Sequence, residues 1–216
     1  AAENQTAVID VQSTDPDGET EGAGLSYSLT GGADMASFAI DADTGVLTFN
    51  SAPDFENPED VGANNVYDVE ITVTDSGALT DVQNLAVTVT DVNDAPTIIS
   101  ADAVDVPENT TAVIDVQSTD DDGDGLSYSL TGGADQLLFS IVAGTGVLTF
   151  NSPPDFENPG DVGGNNVYDV EVTVTDSGAL TDVQNLAVTV TDVNEAPAIT
   201  SADAVDAEEN QTAVIN

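Results

Sequence analysis

No lysine, arginine or histidine occurs among these 216 residues, against 41 aspartates and glutamates, so the net charge at neutral pH is −41. Without a basic side chain no internal ion pair can offset that charge. Self-repulsion opposes the compact state unless cations or salt hold the acidic groups together. The same imbalance argues against nucleic acid and anionic membranes as partners. Cysteine is also missing, which removes disulfides and thiolate metal sites. Small extracellular domains often depend on disulfides, so one without cysteine needs another staple. Tryptophan is absent and there are only four tyrosines, which leaves few stacking faces for a sugar site. No apolar run reaches the roughly 18 residues of a membrane-spanning helix, and no direct membrane insertion is expected.

What is present is repetition, the first thing to seek in such a chain. Residues 66–92 recur as 167–193 with one difference, Ile71 against Val172. Glu3-Asn4 returns as Glu108-Asn109 and again as Glu209-Asn210. The copies differ in length at 15–24 against 120–125, and such an insertion marks a surface loop. The expected division is a first repeat at 1–95, a complete repeat at 96–196 and the opening of a third at 197–216. The first copy lacks a counterpart of 97–105, its expected first strand. The chain therefore reads as a window from a longer array, with its true N-terminus upstream. A sharper alternative is a fibre in which the C-terminal tail of one molecule supplies that strand to the next.

The hydrophobic pattern is β throughout. Tyr67, Val69, Ile71 and Val73 alternate with Asp68, Glu70, Thr72 and Thr74, and Leu85, Val87 and Val89 repeat the scheme. Period-two alternation predicts antiparallel strands with one face in a core and one in water. Gly31-Gly32, Asp43-Thr44-Gly45 and Asp75-Ser76-Gly77 supply turns. About seven short strands per copy point to a β-sandwich. At 40% hydrophobic content the chain can fill cores of about 100 residues each.

The acidic residues fall into two groups. Those alternating along strands, such as Asp68 and Glu70, form a solvated face. The others gather at strand ends and turns: Glu3, Asp15 and Asp17, Asp54 and Glu56, Asp75, and Asp91 with Asn93 and Asp94. Their second-copy counterparts are Glu108, Asp120 and Asp122, Asp155 and Glu157, Asp176, and Asp192 with Asn194 and Glu195. Asp91-Val92-Asn93-Asp94 offers three side-chain oxygen donors on a connector that the approaching Pro96 keeps extended. Such a set suits a hard cation, and the connector is a candidate calcium-binding joint.

In order and approximate spacing these motifs resemble the cadherin repeat over essentially the whole chain. The family's xEx, DxD, LDRE-like, late Asp and DxNDNAP motifs stand here as AENQ and PENT, DPD and DDD, PDFE, VTVTD, and DVNDAP or DVNEAP. The likeness extends to the cadherin-like tandem repeats of large bacterial surface and secreted proteins. It implies an all-β fold of tandem Greek-key β-sandwich (cadherin/Ig-like) domains joined end to end. It also implies a Ca²⁺ site shared between copies, built from Glu3, Asp54, Glu56, Asp91, Asn93 and Asp94 of the first and Asp120, Asp122 and Asp176 of the second. A second joint would use Glu108, Asp155, Glu157, Asp192, Asn194 and Glu195, while Asp15, Asp17 and Asp75 would serve a joint upstream. Ca²⁺ is favoured over Mg²⁺ because a many-oxygen, partly bidentate cage suits the larger ion. Sites of this class have a Kd of about 10⁻⁴–10⁻³ M and would stand empty in cytosol, so the implied location is extracellular, on a cell surface or in a matrix.

The departures matter as well. Glu195 lengthens a ligand by one methylene, and Phe55 and Phe156 occupy the place of the family's basic residue, where they are expected to pack. Without tryptophan, adhesion by tryptophan-anchored strand swapping is not supported. The run Asp120-Asp121-Asp122-Gly123 begins like an EF-hand loop, but Thr131 stands where its last ligand should be. Asn4, Asn109 and Asn210 open glycosylation sequons. An Asp54/Glu56 pair could in principle serve a glycosidase, yet its recurrence in both copies with no other catalytic residue type argues against an enzyme. The expected function is a calcium-stiffened structural or adhesive module of a stalk or fibre, its partners being neighbouring repeats and homotypic fibre contacts. A carbohydrate- or protein-binding module is the weaker alternative.

Overall fold

A computed structural model describes residues 1–200 and Glu209. The expected third-repeat segment, 197–216, lies outside the described residues apart from 197–200 and Glu209, as does the Asn210 sequon; the strand-donating tail, 198–205, is described only at 198–200. Two compact units divide the chain. The first comprises Ala1–Thr97, Ser118–Leu126 and Val174–Asp182, and the second Ile98–Gln117, Ser127–Thr173 and the described residues from Val183 on.

In the first unit, Ala7–Asp10, Val46–Phe49 and Phe38–Ile40 form a three-stranded antiparallel sheet. Thr20–Glu21, Gly24–Gly31, Val66–Thr74 and Thr80–Thr88 form a four-stranded one. The alternation read from sequence is the physical cause of the second sheet. Tyr67, Val69 and Ile71 are buried, while Asp68 between them is exposed. The two sheets enclose Tyr27, Phe38, Leu47, Phe49, Tyr67, Val69, Ile71, Val87 and Val89. Phe38 stacks on Phe49 at 4.6 Å between ring centroids, and Tyr67 meets Phe49 edge-on at 5.1 Å. Such aromatic pairs add about 0.5–1.5 kcal/mol beyond their area burial. Phe55 packs against this core, as expected of it.

The second unit repeats the scheme. Ala112–Asp115, Val147–Phe150 and Phe139–Ile141 make one sheet, and Ser127–Gly132, Val167–Thr175, Thr181–Thr191 and Ala103–Pro107 the other, although the tip of its hairpin, Val174–Asp182, is grouped with the first unit. Phe139, Phe150 and Tyr168 reproduce the aromatic cluster, and Phe156 packs against it. The irregularity at Ala7/Ile9 returns at Ala112/Ile114, so even the bulge is repeated. Ala103–Pro107 runs parallel to Ala187–Thr191 along the outer edge, and Leu186 is buried there. In the first unit the matching place holds only an isolated bridge between Ala2 and Thr90, and Leu85 stays half-buried. The described residues contain no α-helix, only the short 3₁₀ turns Met35–Ser37 and Gln136–Leu138. Both units are thus β-sandwiches, and no helix flanks the Asp120 loop.

Two buried aspartates hold the long loop before Val66. The Asp34 carboxylate accepts the Val61 N–H at 2.7 Å and the Asp68 N–H at 2.8 Å. Asp60 accepts the N–H groups of Gly62, Asn64 and Asn65 at 2.8–3.1 Å. Asp135 and Asp161 do the same work in the second unit. Burial alone would push the Asp60 carboxyl up, but the backbone donors outweigh it and hold the group below its ordinary value. Asp161 is lowered by the same balance. A depressed carboxyl contributes stability above its unfolded pKa, near 3.9, and loses it as pH falls through the folded value. Asp60→Asn and Asp161→Asn are therefore expected to melt lower at neutral pH and to show a flatter stability loss below pH of about 4. An unchanged acid slope in thermal melts would remove these carboxylates from that role.

Gly32 and Gly133 adopt φ of 98° and 95°. A Cβ at either would collide with the carbonyl oxygen of Asp68 or Asp169 on the neighbouring strand. Gly32→Ala and Gly133→Ala are each expected to cost about 2–4 kcal/mol in denaturant unfolding, because strain and backbone collision add. A cost within about 0.5 kcal/mol of zero would contradict the packing described.

Candidate metal centre

The acidic groups of the first unit are assembled around Glu3, a buried residue with 2% exposure. Its N–H donates to the Thr90 carbonyl at 3.1 Å. Its carboxylate accepts the Phe55 N–H at 2.7 Å on one oxygen and the Val92 N–H at 2.7 Å on the other. One side chain thus fastens the start of the repeat to the Pro53-Asp54-Phe55-Glu56 segment and to the connector at its end. Backbone N–H groups take the place of the basic partner that this chain does not possess.

Around that bolt, carboxylate oxygens of Glu3, Asp54 and Glu56 lie within 4.8 Å of one another, as do those of Glu56, Asp91 and Asp122. Glu56 belongs to both groups. Its Oε2 is buried and accepts no hydrogen bond from the described residues, and the same holds for Asp120 Oδ2. Asp94 donates its N–H to Asp122 at 2.6 Å. Asn93 donates its side-chain amide to Asp176 at 2.8 Å and to the Asp94 carbonyl at 3.1 Å. Asp176 is itself buried and accepts the Leu180 N–H at 2.8 Å. The nine residues expected at the first joint all fall in this unit. Buried carboxylate oxygens with no donor fit a hard cation, since uncompensated buried charge is costly.

The electrostatics carry the same strain. Burial, followed by repulsion from Glu3, Asp122 and Asp91, pushes the Glu56 carboxyl up to about 7. Burial and the neighbouring Asp122 raise Asp91, and burial with repulsion from Glu3 and Asp122 raises Asp94. Each shift records a charged form that the site, as built from protein atoms, penalises.

In the second unit Glu108 repeats the bolt, accepting the Phe156 N–H at 2.9 Å and the Val193 N–H at 2.8 Å. These donors hold its carboxyl below the ordinary range. Glu108, Asp155 and Glu157 bring oxygens within 4.8 Å of one another. The Glu157 carboxyl is lowered by its own N–H, yet burial and repulsion from Glu108, Asp192 and Glu195 raise it on balance. Asn194 is exposed. Asp15, Asp17 and Asp75 form no acidic triad among the described residues. Asp15 accepts the Asp17 N–H at 2.6 Å and Asp75 the Leu79 N–H at 2.7 Å, both as turn-builders.

Sequence reading passed over several contributors. Asn4 and Asn109 donate to the last acid of each connector. Glu19 and Asp124 accept the hydroxyls of Ser76 and Ser177 across loops of different length. The recurrence of Asn directly after Glu3 and Glu108 was the available signal for the first pair.

Residues 1–90 match the cadherin domain, and residues 93–189 the bacterial Ig domain. Protocadherin Fat 2 of Rattus norvegicus is 33% identical over 182 residues, which cover 79% of this chain and 4% of that protein. Halomucin of Haloquadratum walsbyi is 34% identical over 134 residues, covering 56% of this chain and 1% of that protein. The chain therefore spans only a small share of the length of the curated relatives it matches. A crystal structure of human protocadherin-24 EC1-2 superposes with a TM-score of 0.56 at 22% identity, covering 89% of this chain and 93% of that one, a likeness of fold alone. Cadherin domains, which residues 1–90 match, are adhesive or structural modules of extracellular proteins and are not enzymes. With a cadherin-domain match on the first copy, a bacterial Ig-domain match and a near-identical hairpin in the second, and the shared sandwich, the chain is similar to the cadherin-like tandem repeats.

Proposed function

We propose that this chain is a calcium-stiffened stalk or adhesive module, with Ca²⁺ bound at its acidic joints. The observation that carries the reading is Glu56. Its carboxylate serves both triads, and one oxygen is buried without a donor in a chain that has no cationic side chain. Neutralisation must then come from outside the polypeptide, and a carboxylate cage of this density suits a divalent cation with oxygen preference.

In this reading Glu3, Asp54, Glu56, Asp91 and Asp122 form the centre of the first joint, completed by Asn93, Asp94, Asp120 and Asp176. Glu108, Asp155, Glu157, Asp192, Asn194 and Glu195 supply the second, and Asp15, Asp17 and Asp75 contribute to an adjoining joint. Residues 1–95 and 96–196 are successive repeats, and 197–216 opens another. Each repeat has its neighbours as its main partners, so that ions at the joints convert a flexible string into a stiff array.

Thermal melts and small-angle scattering in millimolar CaCl₂ and in EDTA test this directly. Each ion present at ten times its Kd adds about 1.4 kcal/mol of stability. A melting temperature lowered by several degrees in EDTA, with scattering that shifts to a flexible pair, is expected. Identical melts and profiles in both buffers would end the calcium reading.

The pH response separates the two states further. Glu56, Asp91 and Asp94 have folded pKa values raised above their unfolded ones. Their contribution is present below the unfolded carboxyl range and lost as pH rises, for Glu56 through about 7. In EDTA the melting temperature is expected to fall between pH of about 5 and 8, whereas in CaCl₂ it should rise as protons yield to ions. Parallel pH profiles would count against ion binding.

A further inference from the structure

The geometry points to Asn4 and Asn109 as positioning residues that aim the last acid of each connector into its cluster, an inference that rests on the calcium reading. Asn4 follows the buried Glu3, and its side-chain amide donates to Asp94 Oδ1 at 2.9 Å. Asn109 follows the buried Glu108, and its amide donates to Glu195 Oε1, also at 2.9 Å. The acceptor has changed from Asp to Glu between the units, and the bond is kept at the same length. A longer acid has been accommodated without losing the latch.

The backbone explains why asparagine stands there. Both residues lie in the left-handed region, at φ of 59° and 61°. Asparagine tolerates that region better than other residues with a side chain, glycine excepted. Glycine would keep the turn but could not donate, and aspartate would keep it but repel the acid. The N–H of each asparagine also donates to the carbonyl of Pro53 or Pro154, at 3.0 and 2.9 Å, just before Asp54 or Asp155. One residue therefore links the proline-aspartate segment to the connector acid through a neutral donor.

A neutral donor occupies one carboxylate oxygen and leaves the other to face an ion, without adding a positive charge that would expel it. Outer-shell partners of this kind typically account for 10–100-fold in metal affinity. Each asparagine also opens a sequon. The nitrogen to which a glycan would attach is the one that donates to the acid, so a closed latch withholds it.

The test has two readouts. In EDTA, hydrogen exchange by NMR is expected to find the side-chain amides of Asn4 and Asn109 slower than that of the exposed Asn57. In calcium titration calorimetry, Asn4→Gly, which retains the backbone conformation, should bind one set of ions about 10-fold more weakly. Asn4→Asp should lose more. The melting temperature of Asn4→Gly in EDTA should stay near that of the parent chain. Ordinary fast exchange at both amides would overturn the latch itself. Unchanged affinity in Asn4→Gly, or a melting temperature in EDTA lowered as much as in CaCl₂, would reduce the residue to a turn former. Protected amides in a parent chain that takes up no calcium would overturn the positioning role together with the calcium reading, by a different observation.

Discussion

A polypeptide without a single cationic side chain must find other partners for every carboxylate it removes from water. This constraint organises both units. Where a carboxylate is buried for structural reasons, backbone N–H groups converge on it: two each on Glu3, Glu108, Asp34 and Asp135, and three on Asp60. Charge-assisted bonds of this kind are among the stronger hydrogen bonds available, and they fix loops that have few apolar contacts of their own. The aromatic cluster and the alternating strands provide the bulk of each sandwich, but the carboxylates decide how the connecting segments are laid over it.

The constraint also separates two classes of acid. Glu3 and Glu108 have their oxygens filled by main-chain donors, so they are bolts first. Glu56 and Asp120 each keep a buried oxygen that no described residue satisfies. Donor supply, more than acidity, distinguishes a group that shapes the fold from one left free to take an ion. Asn4 and Asn109 stand between these classes, giving the connector acids one neutral bond and leaving the rest of the carboxylate open.

Much of this was legible in the chain. The alternation of Tyr67, Val69 and Ile71 with Asp68 marks a half-buried strand, and the buried pattern follows it residue by residue. The packing of Phe55 and Phe156 follows from an apolar residue standing among acids. The motifs that resemble cadherin repeats contain the members of all three acidic triads. What escaped reading depends on contacts distant in sequence or on backbone conformation. Asp34 and Asp60 look like ordinary loop acids until the fold brings the Val61 and Asp68 N–H groups to one of them. Asn4 looks like half of a sequon because its left-handed φ leaves no trace in a residue pattern. Asp15, Asp17 and Asp75 carry motif positions but serve turns within the described residues.

The hairpin of Val66–Thr74 with Thr80–Thr88 has an almost identical twin in Val167–Thr175 with Thr181–Thr191. The strand that receives it is duplicated too, since residues 25–34 and 126–135 are the same. During folding, a hairpin from one copy meets a nearly equivalent acceptor in the other, with only Ile71 against Val172 to distinguish the two hairpins. Tandem neighbours this alike are prone to misassembly. Like charge opposes such cross-pairing: Asp68 and Glu70 in one copy and Asp169 and Glu171 in the other stand on the faces these strands turn from the core.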